Sequence, residues 1–142
     1  MIWLHKSISI NIDHYTFWND RVIETRLKTQ RGHLTILGVY APTEGRDELN
    51  EEFYETLQKI LDKVNKNDYI MLVGDMNARV GNNRDANIVG TNGEATLNSN
   101  GKKLIDFLYI NSFSQHTFIC LVTIPDYMFS VTRTIIRPST LL

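Results

Sequence analysis

Residues 68–81 read Asp68-Tyr-Ile-Met-Leu-Val-Gly-Asp-Met-Asn-Ala-Arg-Val-Gly81, and the fold turns on how this stretch is read. Tyr69 to Val73 is a short, almost wholly apolar run, which fits a strand buried on both faces. It stops at Gly74, and Asp75 and Asn77 follow at once. A strand closing in Gly-Asp-x-Asn delivers a carboxylate and an amide to the rim of a sheet, where open sheets place ligands. The same residues also suit a plain Asx turn at a strand end. Both readings stay open on these residues alone.

Upstream, the apolar residues Leu49, Phe53, Leu57, Ile60, Leu61 and Val64 recur at helical spacing and predict a helix from about Asp47 to Lys66. Glu55 with Lys59, and Asp62 with Lys66, add i,i+4 pairs in the favoured order. Pro42 ends the run Leu34 to Tyr40, a second strand, because proline cannot donate to a ladder. Arg21 to Thr29 alternates and is separated from that strand by Gln30-Arg31-Gly32, so the two predict an antiparallel hairpin. Ile8, Ile10 and Ile12 alternate with polar residues and predict a further strand. The order strand, helix, strand makes the runs ending in Tyr40 and Asp75 parallel neighbours. Their carboxyl ends then meet, and Tyr40 is expected to face Asp75 across a polar pocket.

Downstream, Arg79 to Asn100 is long and rich in glycine and asparagine, and long irregular stretches of this kind are functional or disordered. Ser99-Asn100-Gly101 reads as a helix start, with Leu104, Ile105, Phe107 and Leu108 as its buried face. Phe118 to Ile124 reads as one more strand, and from Pro125 onward no period is visible, which predicts a loose tail.

The chain has 142 residues, 42% hydrophobic and 22% charged, which suits one globular domain with a real core. Fifteen basic and sixteen acidic side chains leave a net charge of -1. That balance does not identify a nucleic-acid partner, although local patches can carry such contacts. Cys120 is the single cysteine, so neither an intrachain disulfide nor a Cys-based zinc site is available. The opening Met1-Ile-Trp-Leu-His-Lys6 turns polar too soon for a signal peptide, and an intracellular setting without a membrane is expected.

Three stretches then fall in one order: Gly38-Val-Tyr-Ala-Pro42, the strand closing in Gly74-Asp75-Met76-Asn77, and Asn98-x-Asn100-Gly101 leading into Leu104 and Phe107. Together they resemble the endonuclease/exonuclease/phosphatase superfamily over about Ile8 to Asn111. More narrowly, they are similar to endonuclease domains of non-LTR retrotransposons and related craniofacial-development-protein-like sequences. The resemblance implies an α/β fold, part of a four-layer α/β sandwich, over residues 1–112, with 113–142 a divergent tail. It implies Mg²⁺-dependent hydrolysis of phosphoesters, DNA as partner, a nuclear location, and a reverse transcriptase domain in the parent element. Tyr40 matches a tyrosine that hydrogen-bonds the scissile phosphate. Asp75 matches the aspartate that places the attacking water, and is the one candidate for the metal. Asn77 matches the asparagine that supports that aspartate. Arg79, Arg84, Lys102 and Lys103 are the basic residues nearest in sequence to Asp75, and are expected to meet phosphates on that rim.

The departures from the pattern bear on activity. The family's metal-binding glutamate and its Ser-Asp-His motif have no counterpart here; His5, His14, His33 and His116 all lie outside such a motif. Mg²⁺ is held by one or two carboxylates plus substrate oxygens, so Mg²⁺-dependent cleavage by this chain would mean that another carboxylate, such as Glu44 or Asp106, has taken over the metal. The expectation is a partial copy that does not cleave DNA, and the alternative is a non-catalytic binding module with the same fold.

Overall fold

The computed structural model describes residues 6–30, 32–65, 68–82, 95–112, 117–124 and 127–133, with side chains described up to residue 111 apart from residues 7 and 8. Their order is α1 (Lys6–Ser9), β1 (Ile12–Phe17), β2 (Val22–Thr29), β3 (Gly32–Tyr40), α2 (Asp47–Leu61), β4 (Tyr69–Asp75), α3 (Ser99–Ser112), β5 (Thr117–Ile124) and β6 (Tyr127–Arg133). The six strands form one mixed sheet in sequence order. β2 and β3 make the antiparallel hairpin that the Gln30 to Gly32 turn predicts, in register from Thr29↔Gly32 to Val22↔Val39. β3 and β4 are parallel, joined across α2, from Leu34↔Tyr69 to Tyr40↔Asp75. β4 pairs parallel with β5, and β5 antiparallel with β6.

Alternation along each strand sorts the side chains onto two faces. Val22, Leu37, Val39, Ile70 and Leu72 share a core with Phe53, Leu57, Ile60 and Leu61 of α2 and Leu104, Phe107 and Leu108 of α3. Among the described residues, α2 and α3 therefore cover the same face. The continuous apolar run of β4 is not buried on both sides as its sequence suggests. Ile70 and Leu72 are 1% exposed, whereas Tyr69 is exposed and Met71 and Val73 are only half-buried. Helices pack against alternate residues, and on the other face Thr25, Leu27 and Ile36 are buried as well. What is established is a mixed α/β arrangement with this one sheet.

The start of β4 is fixed by a buried ion pair. Arg26 Nη2 donates to Asp68 Oδ2 at 2.6 Å, and the His33 amide donates to Asp68 Oδ1 at 3.1 Å. A buried carboxylate is tolerated because both its oxygens are bonded. The β1–β2 connection is tied down by Trp18 Nε1 donating to Glu24 Oε2 at 2.8 Å, and Lys63 lies 4.6 Å over the Trp18 ring.

Four expectations change. The strand expected from Ile8 begins only at Ile12, where β2 supplies a partner through Ile12↔Leu27. Before it, Lys6–Ser9 forms one helical turn, and the Ser9 hydroxyl donates to the Lys6 carbonyl at 2.7 Å, a local bond that competes with extension. The helix expected to reach Lys66 ends at Leu61, where the bonds tighten to i,i+3: Lys63 N donates to Ile60 O and Val64 N to Leu61 O. Leu49, placed in the apolar stripe, is exposed. The expected loose tail contains β6, and its aromatic and β-branched residues suit a strand. A separation of only two residues from β5 makes the pair a hairpin.

Candidate functional site

The parallel pairing of β3 and β4 puts Tyr40 directly beside Asp75. By alternation both lie on the face away from the helices. Tyr40 is 55% exposed, so its ring sits at the surface of this edge. Arg21 holds it in two ways: the guanidinium lies 5.9 Å over the ring, and Nη1 donates to the Tyr40 carbonyl at 3.3 Å. One residue on, the Ala41 amide donates to the Asp75 carbonyl at 2.8 Å, so the two strand ends stay joined past the last ladder pair.

Asp75 and Asn77 build an Asx turn and a bridge together. The Asn77 amide donates to Asp75 Oδ1 at 2.8 Å, which is the bond of the turn reading. Asn77 adopts φ 45°, a left-handed conformation that asparagine tolerates better than most residues. From there its side-chain Nδ2 donates to the Ala41 carbonyl at 2.7 Å, back across to the end of β3. Gly74, at φ 140°, permits the approach, since a Cβ there would lie 1.9 Å from the Val39 carbonyl oxygen. Turn and rim are therefore one arrangement, and the two sequence readings are not exclusive.

The start of α3 locks onto this rim through three residues. Asn98 caps the helix: its Oδ1 accepts from the Gly101 amide at 2.8 Å and from the Arg79 amide at 2.9 Å. Asn100, 1% exposed, donates from Nδ2 to the Pro42 carbonyl and to the Asn77 carbonyl, both at 3.0 Å. Gly101 packs so closely that a Cβ would meet the Arg79 carbonyl oxygen at 1.9 Å. Glu44 completes the set, its Oε1 accepting from the Ser99 amide at 3.0 Å and its Oε2 lying 3.4 Å from Asn98 Nδ2. The Ser99 amide bond holds the Glu44 carboxyl below its ordinary range. This cap was missed in the sequence, although an Asn immediately before a helix start is a readable N-cap signal.

The loop from Arg79 to Asn100 is pinched at its base by the Val80↔Leu97 bridge and by Asn98 N donating to Arg79 O at 3.0 Å. That closure sets Arg79 beside the first turn of α3 with Lys102 and Lys103, and Arg79 and Lys102 are exposed. Lys103 is engaged elsewhere, its Nζ 2.8 Å from Asp47 Oδ1. Arg84 lies outside the described residues. An open groove of about 430 Å³ adjoins Tyr40, bounded by Phe17, Arg21, Ile23, Gly38 and Val73. Asp75 is not among its walls, so this mostly apolar groove lies beside the rim that carries Asp75.

The donor set at the rim bears on Mg²⁺. Among the described residues no group of three or more His, Cys, Asp or Glu is placed to hold a metal. One Asp75 oxygen is engaged by Asn77, both Glu44 oxygens are engaged at α3, and Asp106 sits two turns further along that helix. No helix among the described residues is long and apolar enough to cross a membrane.

No protein-family model matches the chain. Craniofacial development protein 2 of Bos taurus is 38% identical over 94 residues, which is 66% of this chain and 16% of that protein. The same protein of Tragulus javanicus gives the same values. The chain thus spans about one-sixth of the length of the curated relatives it matches. On these matches, it is homologous to craniofacial development protein 2.

Proposed function

We propose that this chain is part of a Mg²⁺-dependent phosphodiesterase domain of the endonuclease/exonuclease/phosphatase type, a DNA endonuclease of retrotransposon origin, and that it keeps the phosphate-facing rim. The observation that carries the reading is the Tyr40↔Asp75 register, with Asn77 bonded both to Asp75 and to the end of β3. A phenol, a carboxylate and an amide are there preorganised on one sheet edge. In this reading the Tyr40 hydroxyl donates to a phosphate oxygen, Asp75 accepts a hydrogen bond from the attacking water, and the Asn77 bridge holds Asp75 in place. The four-layer sandwich, the nuclear setting, and DNA and a reverse transcriptase domain as partners belong to the same proposal. Mg²⁺ is the metal of such a reaction, but the described residues do not fit it as a resident ion.

Loss of one preorganised charge-stabilising donor costs about a hundred- to a thousand-fold in rate. The expected result with supercoiled plasmid and Mg²⁺ is therefore no nicking above background. Nicking that requires Mg²⁺ and disappears in Asp75→Ala would show a working active site. A non-catalytic module with the same fold is the second reading, favoured by the engagement of the Asp75 side chain in its own Asx turn.

A further inference from the structure

Among the described residues, four buried side-chain atoms lack a hydrogen-bond partner: Arg26 Nε, Thr35 Oγ1, Asn50 Oδ1 and Asn100 Oδ1. The last two lie in the first turns of separate helices. The first two are neighbours, because Thr35 and Arg26 are a register pair of β2 and β3. Both project to the side of the sheet that carries Leu37 and Ile70, the side packed against α2. Arg26 reaches from β2 to Asp68, just before β4, so its stem crosses β3 beside Thr35. The guanidinium is planar, and its Nη2 is held at 2.6 Å by Asp68 Oδ2, so the Nε–H cannot turn to find another acceptor. Asp68 Oδ1 accepts from the His33 amide at 3.1 Å and lies 3.7 Å from His33 Nδ1. Each carboxylate oxygen can accept one bond more.

A buried N–H and a buried hydroxyl left unpaired side by side are costly at both atoms. An occupant must accept from Nε–H and also bond the hydroxyl. The guanidinium repels a cation, and the Asp68 carboxylate beside it repels an anion. A small neutral molecule that both donates and accepts fits, and water is the ordinary occupant of such a place. We propose that one internal water binds between Arg26 Nε and Thr35 Oγ1, with the Asp68 carboxylate as its further acceptor. The water completes a polar strap that runs from β2 over β3 to the start of β4. The strap pins β4 at its Asp68 end, and the register it pins sets Asp75 beside Tyr40 at the other. A slip of one residue would turn every side chain of β4 to the opposite face. The water site stands independently of the phosphodiester reading.

The test is a crystal structure of the wild-type chain that resolves ordered waters, joined to urea unfolding of Thr35→Val. The expected map shows one water within hydrogen-bond distance of both Arg26 Nε and Thr35 Oγ1. No water there, a direct bond between the two atoms, or another protein group seated on either of them overturns the proposal. Thr35→Val keeps the branched shape and removes the hydroxyl. It should lose the water and unfold at lower urea than wild type. A buried hydroxyl that holds nothing would behave in the opposite way, because replacing it with a methyl group removes an unpaired polar atom. A urea midpoint unchanged or raised in Thr35→Val therefore overturns the strap. Thr35→Ser keeps the hydroxyl and should keep the water in its own crystal structure, and a serine variant without it also overturns the proposal. If the valine variant does not fold, the wild-type map decides alone.

Discussion

Asn77 shows how much a single residue carries at this rim. Its amide donates to Asp75, its side chain donates to Ala41, its carbonyl accepts from Asn100, and its backbone sits at φ 45°. Asn77→Ala leaves the Ala41 carbonyl without its partner and puts a Cβ into a left-handed site without asparagine's tolerance for it. The expected loss is about 2–3 kcal/mol, read from urea midpoints. Asn77→Gly removes the bond but not the conformational ease, and should lose about 1 kcal/mol less. Glu44 gives a pH-dependent counterpart. Its folded carboxyl titrates below the ordinary 4.5, so its stabilisation is present above that value and fades as pH falls through the lower folded value. Glu44→Gln should flatten this part of the acid limb of a stability curve and leave neutral pH little changed. An unchanged acid limb would mean that the Ser99 contact does not persist in solution. The Gly-Asp-x-Asn motif was legible only together with Gly38-Val-Tyr-Ala-Pro42 upstream, because strand-ending Asx residues also make plain turns. The role of Glu44 was not, because its partners lie 54 and 55 residues away in sequence.

Among elements, the first turn of α3 does most to hold the site together. Asn100 bonds to the loops following both β3 and β4. Asn100→Ala strands two carbonyls in a buried place and should destabilise by about 2–4 kcal/mol, taking about 1–3 for each carbonyl left unpaired and allowing for incomplete additivity. Gly101→Ala drives a methyl group into the Arg79 carbonyl. It should lower the melting temperature and, because Arg79 must shift, also loosen the neck of the loop. Hydrogen exchange at the Asn98 and Arg79 amides would report that loosening, and unchanged protection would contradict it. The hairpin, the parallel β3–β4 pair and both long helices were legible from period and turn residues. β6 was not, since Phe129-Ser130-Val131-Thr132 alternates over only four residues, and the pairing that makes it a strand comes from β5. The short helix at Lys6–Ser9 defeats an alternation reading because a Ser–backbone bond satisfies the turn locally.

At the scale of the molecule, the core shared with α2 and α3 lies on one side of the sheet, and the Tyr40–Asp75 rim lies on the other. Leu57 is fully buried between α2 and the sheet, and Leu57→Ala should cost about 2–5 kcal/mol without altering the rim's register. The basic residues at the loop neck connect fold to function. Each phosphate neutralised on B-DNA contributes about -0.9 to the slope of log K against log salt. Arg79 and Lys102 are exposed beside the rim, and one phosphate contact is expected from each. The account's central claim is that the rim meets a phosphodiester backbone. The measurement that tests it most directly is the salt dependence of binding to a short duplex DNA, wild type against Arg79→Ala/Lys102→Ala. The account predicts measurable binding whose slope becomes shallower by about 1.8 in the double variant. No binding, or a slope that the two substitutions leave unchanged, would contradict it.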